Sequence, residues 1–356
     1  MLKTIFKIPF NHLGRILNFP LVLPFSLGFE VTRRCNSHCK TCNLWRYPAD
    51  EELSLDEINR LFNSLGKSLY WITLTGGEPF LREDFVEICR IIYNNCKPKF
   101  INISTNGSLP EKIIKDMEKI LKFCPKTKFK VNLSLDGIGK NHDNIRGLTE
   151  AFDCFYKTAQ GLLRIRSKQL HIGIYTVISN YNINEIEDIV AFVKKIFGFL
   201  PSFEIAQIRD SFKNQGLNEI LPKPEKSINL FKKLYKLEKR KKTDLEETII
   251  YRLRKIYYKL TLDTLYLKQQ IIPCFSGFSS VYIIADGKVW VCCNLEKLLG
   301  DLKHYDFDFK KLWWSKKAWS VRKEIKESNC FCLGVNANYL NILHSPNYLI
   351  KYLYGF

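Results

Sequence analysis

Residues 35–42 read CNSHCKTC and place three cysteines, Cys35, Cys39 and Cys42, directly after a short β-rich run. Three thiolates on one short loop can bind three irons of a cubane iron–sulfur cluster and leave the fourth iron without a protein ligand. An open coordination position is typical of catalytic metal sites, whereas structural sites are closed. Two alternatives stay open at this point: a chance spacing, and a zinc loop in which His38 supplies a further ligand.

A glycine-rich motif, TGGEP at residues 75–79, follows the next β-rich run. Gly76 and Gly77 permit backbone conformations and a close ligand approach that larger side chains forbid. We expect Glu78 to present its carboxylate beside exposed backbone N–H and C=O groups, an arrangement that suits the ammonium group of a ligand. A Gly-Gly turn alone is a weak signal, but one strand after a C-x3-C-x2-C loop it favours a catalytic cluster over zinc.

Six β-rich runs alternate with helical patterns between residues 27 and 207, and a capping box at Ser54 and Glu57 begins the first helix. Strands are predicted at 28–32, 70–75, 100–105, 130–135, 171–178 and 203–208, and further helices near 84–95, 111–123, 148–167 and 183–197. Six such units imply parallel strands with right-handed crossovers, in an α/β doubly wound sheet or an open, partial barrel. In both architectures the chemistry lies at the carboxyl ends of the strands.

In this order, the two motifs resemble the radical S-adenosylmethionine (SAM) superfamily over about residues 25–210. The resemblance implies a partial (β/α)6 TIM-like barrel, which agrees with the strand count. It also implies that the three loop cysteines hold a catalytic 4Fe–4S cluster, whose free iron is chelated by S-adenosylmethionine. Gly76, Gly77 and Glu78 would receive the methionine moiety of this cofactor.

Three further positions fit a subgroup of this superfamily that carries C-terminal auxiliary clusters. Asn106 follows the third strand, Ser134 ends the fourth strand as a ribose contact, and Arg146 resembles the arginine that meets the cofactor carboxylate. The alternative is ordinary turn chemistry, because Asn-Gly and Asp-Gly pairs lie close to these positions. Thr41 departs from the family, which usually has an aromatic residue before the last cluster cysteine; this loosens the adenine contact but not the cluster.

Five of the twelve cysteines lie near the C-terminus. The spacing of Cys274, Gly287 and Cys292 resembles the opening of the SPASM or twitch extension, which is named after peptide-maturing relatives. Cys330 and Cys332 would complete four ligands for one auxiliary 4Fe–4S cluster.

The C-terminal pattern also departs from that extension. A full SPASM domain uses seven cysteines for two clusters, and the final pair here is C-x-C where C-x2-C is commoner. Cys292 and Cys293 are adjacent in a hairpin predicted at 281–285 and 288–292, so their side chains should point to opposite faces. Cys292 has the better spacing for a ligand. A zinc site or an incomplete site is the alternative.

The chain of 356 residues is 46% hydrophobic and has a net charge of +19. Its cysteines cluster at short spacings without a signal-peptide pattern, which predicts metal binding in a reducing, cytoplasmic compartment. Between Lys223 and Lys259, 13 basic residues oppose 5 acidic ones in amphipathic helices. These helices are either a solvated face or a surface for anionic lipid, nucleic acid or an acidic substrate. Nucleic acid is disfavoured because no recognisable RNA-binding module is present.

We divide the chain into five segments. They are an apolar and basic N-terminal segment (1–26), the barrel core (27–210), a basic helical segment (211–272), the cluster-binding extension (273–335) and an aromatic tail (336–356). Apolar, cationic and aromatic elements together suit an anionic bilayer, which predicts peripheral binding at the inner face of the membrane.

The resemblance also implies a reaction. An electron from a donor such as flavodoxin or ferredoxin passes through the cluster and cleaves S-adenosylmethionine to methionine and a 5′-deoxyadenosyl radical, which removes a hydrogen atom from the substrate. A peptide or protein substrate is the first hypothesis, because relatives of the extension act on peptides. A membrane lipid or lipid-linked glycan is the second. The alternative of another class is a non-catalytic, zinc-stapled binding protein.

Overall fold

The computed structural model describes residues 6–47, 51–237, 245–295, 297–327, 330 and 332–353. Parts of all five predicted segments lie outside the described residues. They are residues 1–5 of the N-terminal segment, 48–50 of the barrel core, 238–244 of the basic segment, 296, 328–329 and 331 of the extension and 354–356 of the aromatic tail.

In the described part of the chain, nine strands form one curved, open sheet in the order β6-β5-β4-β3-β2-β1-β7-β8-β9. The strands are β1 Ser26–Thr32, β2 Trp71–Gly76, β3 Phe100–Thr105, β4 Lys128–Ser134, β5 Leu170–Ile178, β6 Ser202–Ile205, β7 Ser280–Ile283, β8 Lys288–Trp290 and β9 Leu298–Asp301. Strands β1 to β6 are parallel throughout, and the sheet does not close on itself. The predicted α/β partial barrel of six strands is confirmed.

Helices separate the parallel strands and continue into the C-terminal half. They are α1 Lys7–Leu17, α2 Leu55–Leu65, α3 Phe85–Cys96, α4 Pro110–Phe123, α5 Lys140–Arg146, α6 Ala151–Arg164, α7 Ile186–Phe197, α8 Pro224–Leu237, α9 Leu245–Leu267, α10 Phe309–Trp313, α11 Lys316–Glu327, α12 Val335–Leu343 and α13 Pro346–Leu353. The capping box at Ser54 and Glu57 is present at the start of α2. No helix in the described part of the chain is both long and apolar enough to cross a bilayer.

Several predicted boundaries differ from the observed ones by a few residues. The helix expected at 148–167 runs from Ala151 to Arg164, and a separate helix, α5, precedes it and is capped by Gly147 in a left-handed conformation with φ +59°. The sixth strand was expected to reach residue 208, but it ends at Ile205, and the Gln207 side chain beyond it accepts a hydrogen bond from the backbone N–H of Leu333.

Alternating side chains along the strands separate the hydrophobic core from the inside of the barrel. On β4, Phe129, Val131 and Leu133 are fully buried against the surrounding helices, whereas Lys130 and Asn132 are only half-buried. Because strand side chains alternate between faces, these polar residues line the inner side of the sheet, which we call the lumen.

The C-terminal hairpin extends the barrel sheet, which the sequence did not predict. Gly287, with φ +93°, forms the expected turn between β7 and β8. Strand β7 also pairs in parallel with β1. Cys274, before β7, and Cys292, after β8, therefore adjoin the same sheet as the cluster loop.

Candidate active site

The loop after β1 places Cys35, Cys39 and Cys42 at the carboxyl edge of the sheet. Burial raises the pKa of Cys35 to about 11 and that of Cys42 to about 12, and the neighbouring charge of Cys39 raises both. Backbone N–H groups of Ser37 and Leu44 donate to the Sγ atoms of Cys35 and Cys42 at 3.4 and 3.5 Å. The three thiols thus form one interacting group, and metal binding must displace their protons.

The cluster loop is fixed by neighbours on both sides. The backbone N–H of Lys40 donates to the carbonyl of Ile145 at 2.9 Å. The Nδ2 group of Asn214 donates to the carbonyl of Thr41 at 3.0 Å. His38 packs against the ring of Trp45, with ring centroids 4.3 Å apart.

Gly76 and Gly77 allow the glycine-rich motif to dock on the cluster loop. The N–H of Gly77 donates to the Thr32 carbonyl and that of Glu78 to the Arg34 carbonyl, both at 2.9 Å. A Cβ on Gly76 would lie 2.0 Å from the Thr32 oxygen, and one on Gly77 would lie 2.0 Å from the Arg34 oxygen. These N–H groups are therefore engaged with the protein and not exposed, contrary to the expectation from the sequence.

The Glu78 carboxylate is completely buried between the motif and the end of β3. It accepts hydrogen bonds from the Asn106 N–H at 2.7 Å, from the Thr105 hydroxyl at 2.8 Å and from the Phe80 N–H at 3.2 Å. Burial nevertheless raises the pKa of Glu78 to about 7, which the hydrogen bonds and Arg146 only partly oppose. A cation placed beside this carboxylate would favour its ionised form.

Asn106 joins β3 to the cluster loop. Its Nδ2 group donates to Asn36 Oδ1 at 2.8 Å and to Ser37 Oγ at 2.9 Å. Its Oδ1 atom accepts from the Ser108 N–H at 2.9 Å. The turn chemistry that the sequence left as an alternative is thus present, together with contacts that position the cysteine loop.

Arg146, at the end of α5, contacts the cluster loop directly. Its Nη1 atom lies 3.4 Å from Cys39 Sγ, and its Nε atom lies 3.1 Å from Asp136 Oδ2 without the angle of a hydrogen bond. Asp136 is buried and accepts from the Val177 N–H at 2.9 Å. The sequence analysis did not single out Asp136, although its place in the turn after β4 is the signal that could have found it.

Ser134 ends β4 at the same edge of the sheet, in register with Tyr175 on β5. The predicted cofactor contacts lie after β1, β2 and β3 and at the end of β4. All four positions are at the carboxyl edge of the parallel sheet, where folds of this kind carry their active sites.

Cys274, Cys292, Cys330 and Cys332 line one cavity of about 30 Å³ in the extension. Burial raises the pKa of Cys292, and the charges of Cys293, Cys332 and Cys274 raise it as well. A hydrogen bond from Cys332 lowers the pKa of Cys330. The structure therefore brings together the four cysteines that the sequence assigned to an auxiliary site.

Cys293 is not among the residues that line that cavity, and both Cys292 and Cys293 follow the end of β8 at Trp290, so strand alternation does not extend to them. Burial raises the pKa of Cys293 to about 11, and the charge of Arg209 opposes this rise. Its Sγ atom lies 3.5 Å from Asn294 Oδ1, and Asn294 Nδ2 donates to Cys332 Sγ at 3.0 Å.

Within the described ranges, no three His, Cys, Asp or Glu side chains are arranged to hold a single metal ion. A cubane cluster separates its sulfur ligands more widely than one ion does, because each thiolate binds a different iron. The three loop cysteines and the four cysteines of the extension all offer the thiolate donors that iron–sulfur clusters require.

Two regions of the chain match known protein families. Residues 29–193 match the radical SAM superfamily, and residues 274–333 match SPASM, an iron–sulfur cluster-binding domain. This chain belongs to the radical SAM superfamily. It is a radical SAM enzyme with a SPASM extension, and the predicted cofactors, a 4Fe–4S cluster, S-adenosylmethionine and auxiliary iron–sulfur chemistry, are confirmed at the level of the family.

Several proteins are similar to this radical SAM enzyme. An AdoMet-dependent heme synthase of Methanosarcina barkeri is 25% identical over 308 residues, covering 82% of each chain. A GTP 3′,8-cyclase of Desulforamulus reducens is 28% identical over 177 residues, covering 48% of this chain and 52% of the cyclase. The structure of anSMEcpe with bound AdoMet and Cp18Cys peptide shares the fold, with a TM-score of 0.59, 19% identity, and coverage of 86% of this chain and 84% of that one.

The lumen of this radical SAM enzyme contains charged pairs that the sequence analysis missed. Glu204 on β6 contacts Arg209 in a buried ion pair and accepts from the Tyr175 hydroxyl at 2.8 Å. Glu30 on β1 pairs with Arg33 at 3.1 Å and accepts a hydrogen bond from a hairpin tyrosine. The arginine partners lie only three and five residues away in sequence. The tyrosine partners come from other strands, so no local sequence signal distinguishes these glutamates from surface charges.

Proposed function

We propose that this radical SAM enzyme binds S-adenosylmethionine at a 4Fe–4S cluster held by Cys35, Cys39 and Cys42, and that it removes hydrogen from a peptide or protein in the lumen. The observation that carries this proposal is the convergence of Glu78 and Arg146 on the cysteine loop. The charges of both residues act on the Cys35 thiol.

When bound, the cluster and its sulfonium cofactor supply a 5′-deoxyadenosyl radical. Burial raises the pKa of Cys35 and Cys42, and the charge of Arg146 partly opposes this rise and so favours the thiolates that iron requires. Glu78 offers a carboxylate whose ionisation a ligand's ammonium group would promote. Gly76, Gly77, Asn106 and Ser134 complete the proposed cofactor contacts.

A peptide substrate is supported by the mixed polarity of the lumen. The Glu204–Arg209 and Glu30–Arg33 pairs offer both signs of charge, and tyrosine hydroxyl groups lie beside both glutamates. Amide and charged groups of a peptide can exchange hydrogen bonds with such groups.

We assign one auxiliary 4Fe–4S cluster to Cys274, Cys292, Cys330 and Cys332. Four thiols on one cavity match the ligand number of a closed cluster. Enzymes of this family need a reductant, and a flavodoxin or ferredoxin is the donor we propose.

A membrane lipid or lipid-linked glycan is the second candidate substrate. It is favoured by one observation, the exposed apolar face of α1, on which Phe6 is 67% exposed and Ile16 is 69% exposed.

Deuterium transfer distinguishes the two substrate classes. Enzyme reconstituted under argon would be supplied with S-adenosylmethionine, a reductant, and either a peptide fraction or a lipid extract from cells grown in heavy water. We expect mass spectrometry to find deuterium in 5′-deoxyadenosine with the peptide fraction, and no 5′-deoxyadenosine with the Cys39→Ala variant. Deuterium from the lipid extract alone would reject the peptide and support the second candidate. A wild-type enzyme that makes no 5′-deoxyadenosine in either mixture contradicts the reaction itself.

A further inference from the structure

Helix α1 exposes its apolar side chains to solvent. Phe10 is 50% exposed, Leu13 47% and Leu17 53%, in addition to Phe6 and Ile16. Phe19 and Leu21 continue the exposed series beyond the helix, at 41% and 37%. A helix that packs on a globular core normally buries such residues and exposes its polar ones.

The polar side of α1 is the buried side, and hydrogen bonds fix it there. Asn11 is buried and its Nδ2 group lies 3.1 Å from His344 Nε2. A His12 ring nitrogen lies 2.8 Å from the His344 carbonyl. Arg15 donates to the carbonyl of Cys274 at 3.0 Å. The outward direction of the apolar face is therefore set by specific contacts with the C-terminal half.

Two tryptophans extend this apolar face. Trp314 is 38% exposed and donates to the Pro20 carbonyl at 2.8 Å. Trp319 on α11 is 50% exposed and lies seven residues before Lys326, whose amine donates to the Ile16 carbonyl at 3.3 Å. Residues seven apart lie on the same side of a helix, so Trp319 faces the same side as this contact. We call Phe6, Phe10, Leu13, Ile16, Leu17, Phe19, Leu21, Trp314 and Trp319 the front surface.

Exposed lysines lie beside the two tryptophans of the front surface. Residues 309–327, which cover α10 and α11, contain seven basic and two acidic residues. Exposed members of this group include Lys316, Lys317 and Lys323.

We propose that the front surface docks on an anionic lipid bilayer, with the apolar side chains in the interface and the neighbouring lysines against the headgroups. Tryptophan suits this depth because its ring is apolar and its N–H is polar. A symmetric dimer through the same surface would bring like charges together, whereas an anionic bilayer neutralises them. Arg15 contacts Cys274, so the docked surface would lie one helix away from the auxiliary cysteines.

Vesicle binding of the holoenzyme tests this proposal, and it does not depend on the radical reaction. Vesicles would contain phosphatidylcholine alone or phosphatidylcholine with phosphatidylglycerol, at low and high salt. We expect sedimentation with the anionic vesicles that weakens as salt screens the charges. The Phe10→Gln/Leu13→Gln variant should bind at least about tenfold more weakly, because two apolar side chains no longer enter the interface.

A matched control is available at two exposed apolar residues outside the front surface. Phe123 and Leu163 are 49% and 46% exposed at α4 and α6, so Phe123→Gln/Leu163→Gln removes equivalent exposed groups. This control should bind vesicles like the wild type. Equal weakening by both variants, or no sedimentation of the wild type, would overturn the proposal.

Two further measurements complete the test. Brominated lipids should quench the tryptophan fluorescence of the wild-type protein, which requires no variant to fold. A wild-type dimer that the Phe10→Gln/Leu13→Gln variant converts to a monomer, without quenching by brominated lipid, would instead show that a second copy covers the front surface.

Discussion

Lys130 illustrates how one side chain depends on the inside of the barrel. It lies on β4, and burial lowers its pKa to about 8, with the charge of Arg254 lowering it as well. Gly173 on β5 makes room for it, because a Cβ there would lie 2.6 Å from Lys130 Cε. The sequence predicted the strand. It could not predict that Lys130 faces the inside of the barrel, because a local pattern does not show whether a strand lysine faces solvent or the lumen of a curved sheet.

We predict that Lys130→Met raises the free energy of unfolding at pH 7 by about 1–3 kcal/mol. This gain is smaller than the full pKa shift would give, because Lys130 is only half-buried. The folded pKa is lowered, so the unfolded chain binds more protons between pH 8 and 10.5, and this lysine makes wild-type stability rise with pH in that window. The variant should lack this part of the rise. Denaturant unfolding at pH 7, 8 and 10 measures it, and a wild-type slope in the variant would show that the amine is not buried in solution.

Two adjacent cysteines after β8 have different surroundings. Cys292 lines the auxiliary cavity, whereas the charge of Arg209 acts on Cys293. Both residues follow the end of β8 at Trp290, so the alternation of strand side chains does not by itself separate them. The sequence favoured Cys292 by its spacing, but the surroundings of each cysteine depend on how the hairpin joins β1.

We predict that Cys292→Ala and Cys332→Ala each lower the iron content of reconstituted enzyme by about half, since one of two four-iron clusters is lost. Cys293→Ala is the matched control and should retain its iron. Iron per chain and visible absorption after anaerobic purification provide the measurement. If Cys293→Ala is the one variant that loses iron, Cys293 is the ligand. Unchanged iron in all three variants contradicts an auxiliary cluster.

Across the whole molecule, Glu204 connects the barrel to the extension. Besides its ion pair with Arg209, it accepts hydrogen bonds from Tyr175 on β5 and from the Val335 N–H at the start of α12. Helix α9 joins the same regions, because the Tyr257 hydroxyl donates to the Leu333 carbonyl at 2.9 Å. The barrel and the extension are therefore packed as one structure around these residues.

Removing one member of this ion pair should therefore affect the stability of both parts. We predict that Glu204→Met lowers the free energy of unfolding by about 3–5 kcal/mol, because it leaves the Arg209 charge buried and uncompensated. The double variant Glu204→Met/Arg209→Met should recover much of this loss. Denaturant unfolding measures both, and a double variant as unstable as the sum of two single ones would show that the pair is not coupled.

The aromatic tail shows where whole-molecule packing overrode a sequence interpretation. Tyr348 and Tyr352 had suggested a membrane contact, but Tyr348 donates to Asp263 at 3.0 Å and Tyr352 packs against the core. Tyr354 lies outside the described residues. The front surface is instead formed by residues at and beside α1 together with two tryptophans, and about 300 positions of sequence separate the helix from the tryptophans.

By itself, the sequence determined the six alternating strand–helix units and the two cysteine groups, because strand periodicity and short ligand spacings are local properties. Only the tertiary structure decided the order of the strands in the sheet, which polar residues enter the lumen and which side of α1 points outward. Those outcomes depend on contacts between distant segments, such as Arg15 with Cys274 and Glu204 with Val335, and no local pattern encodes them.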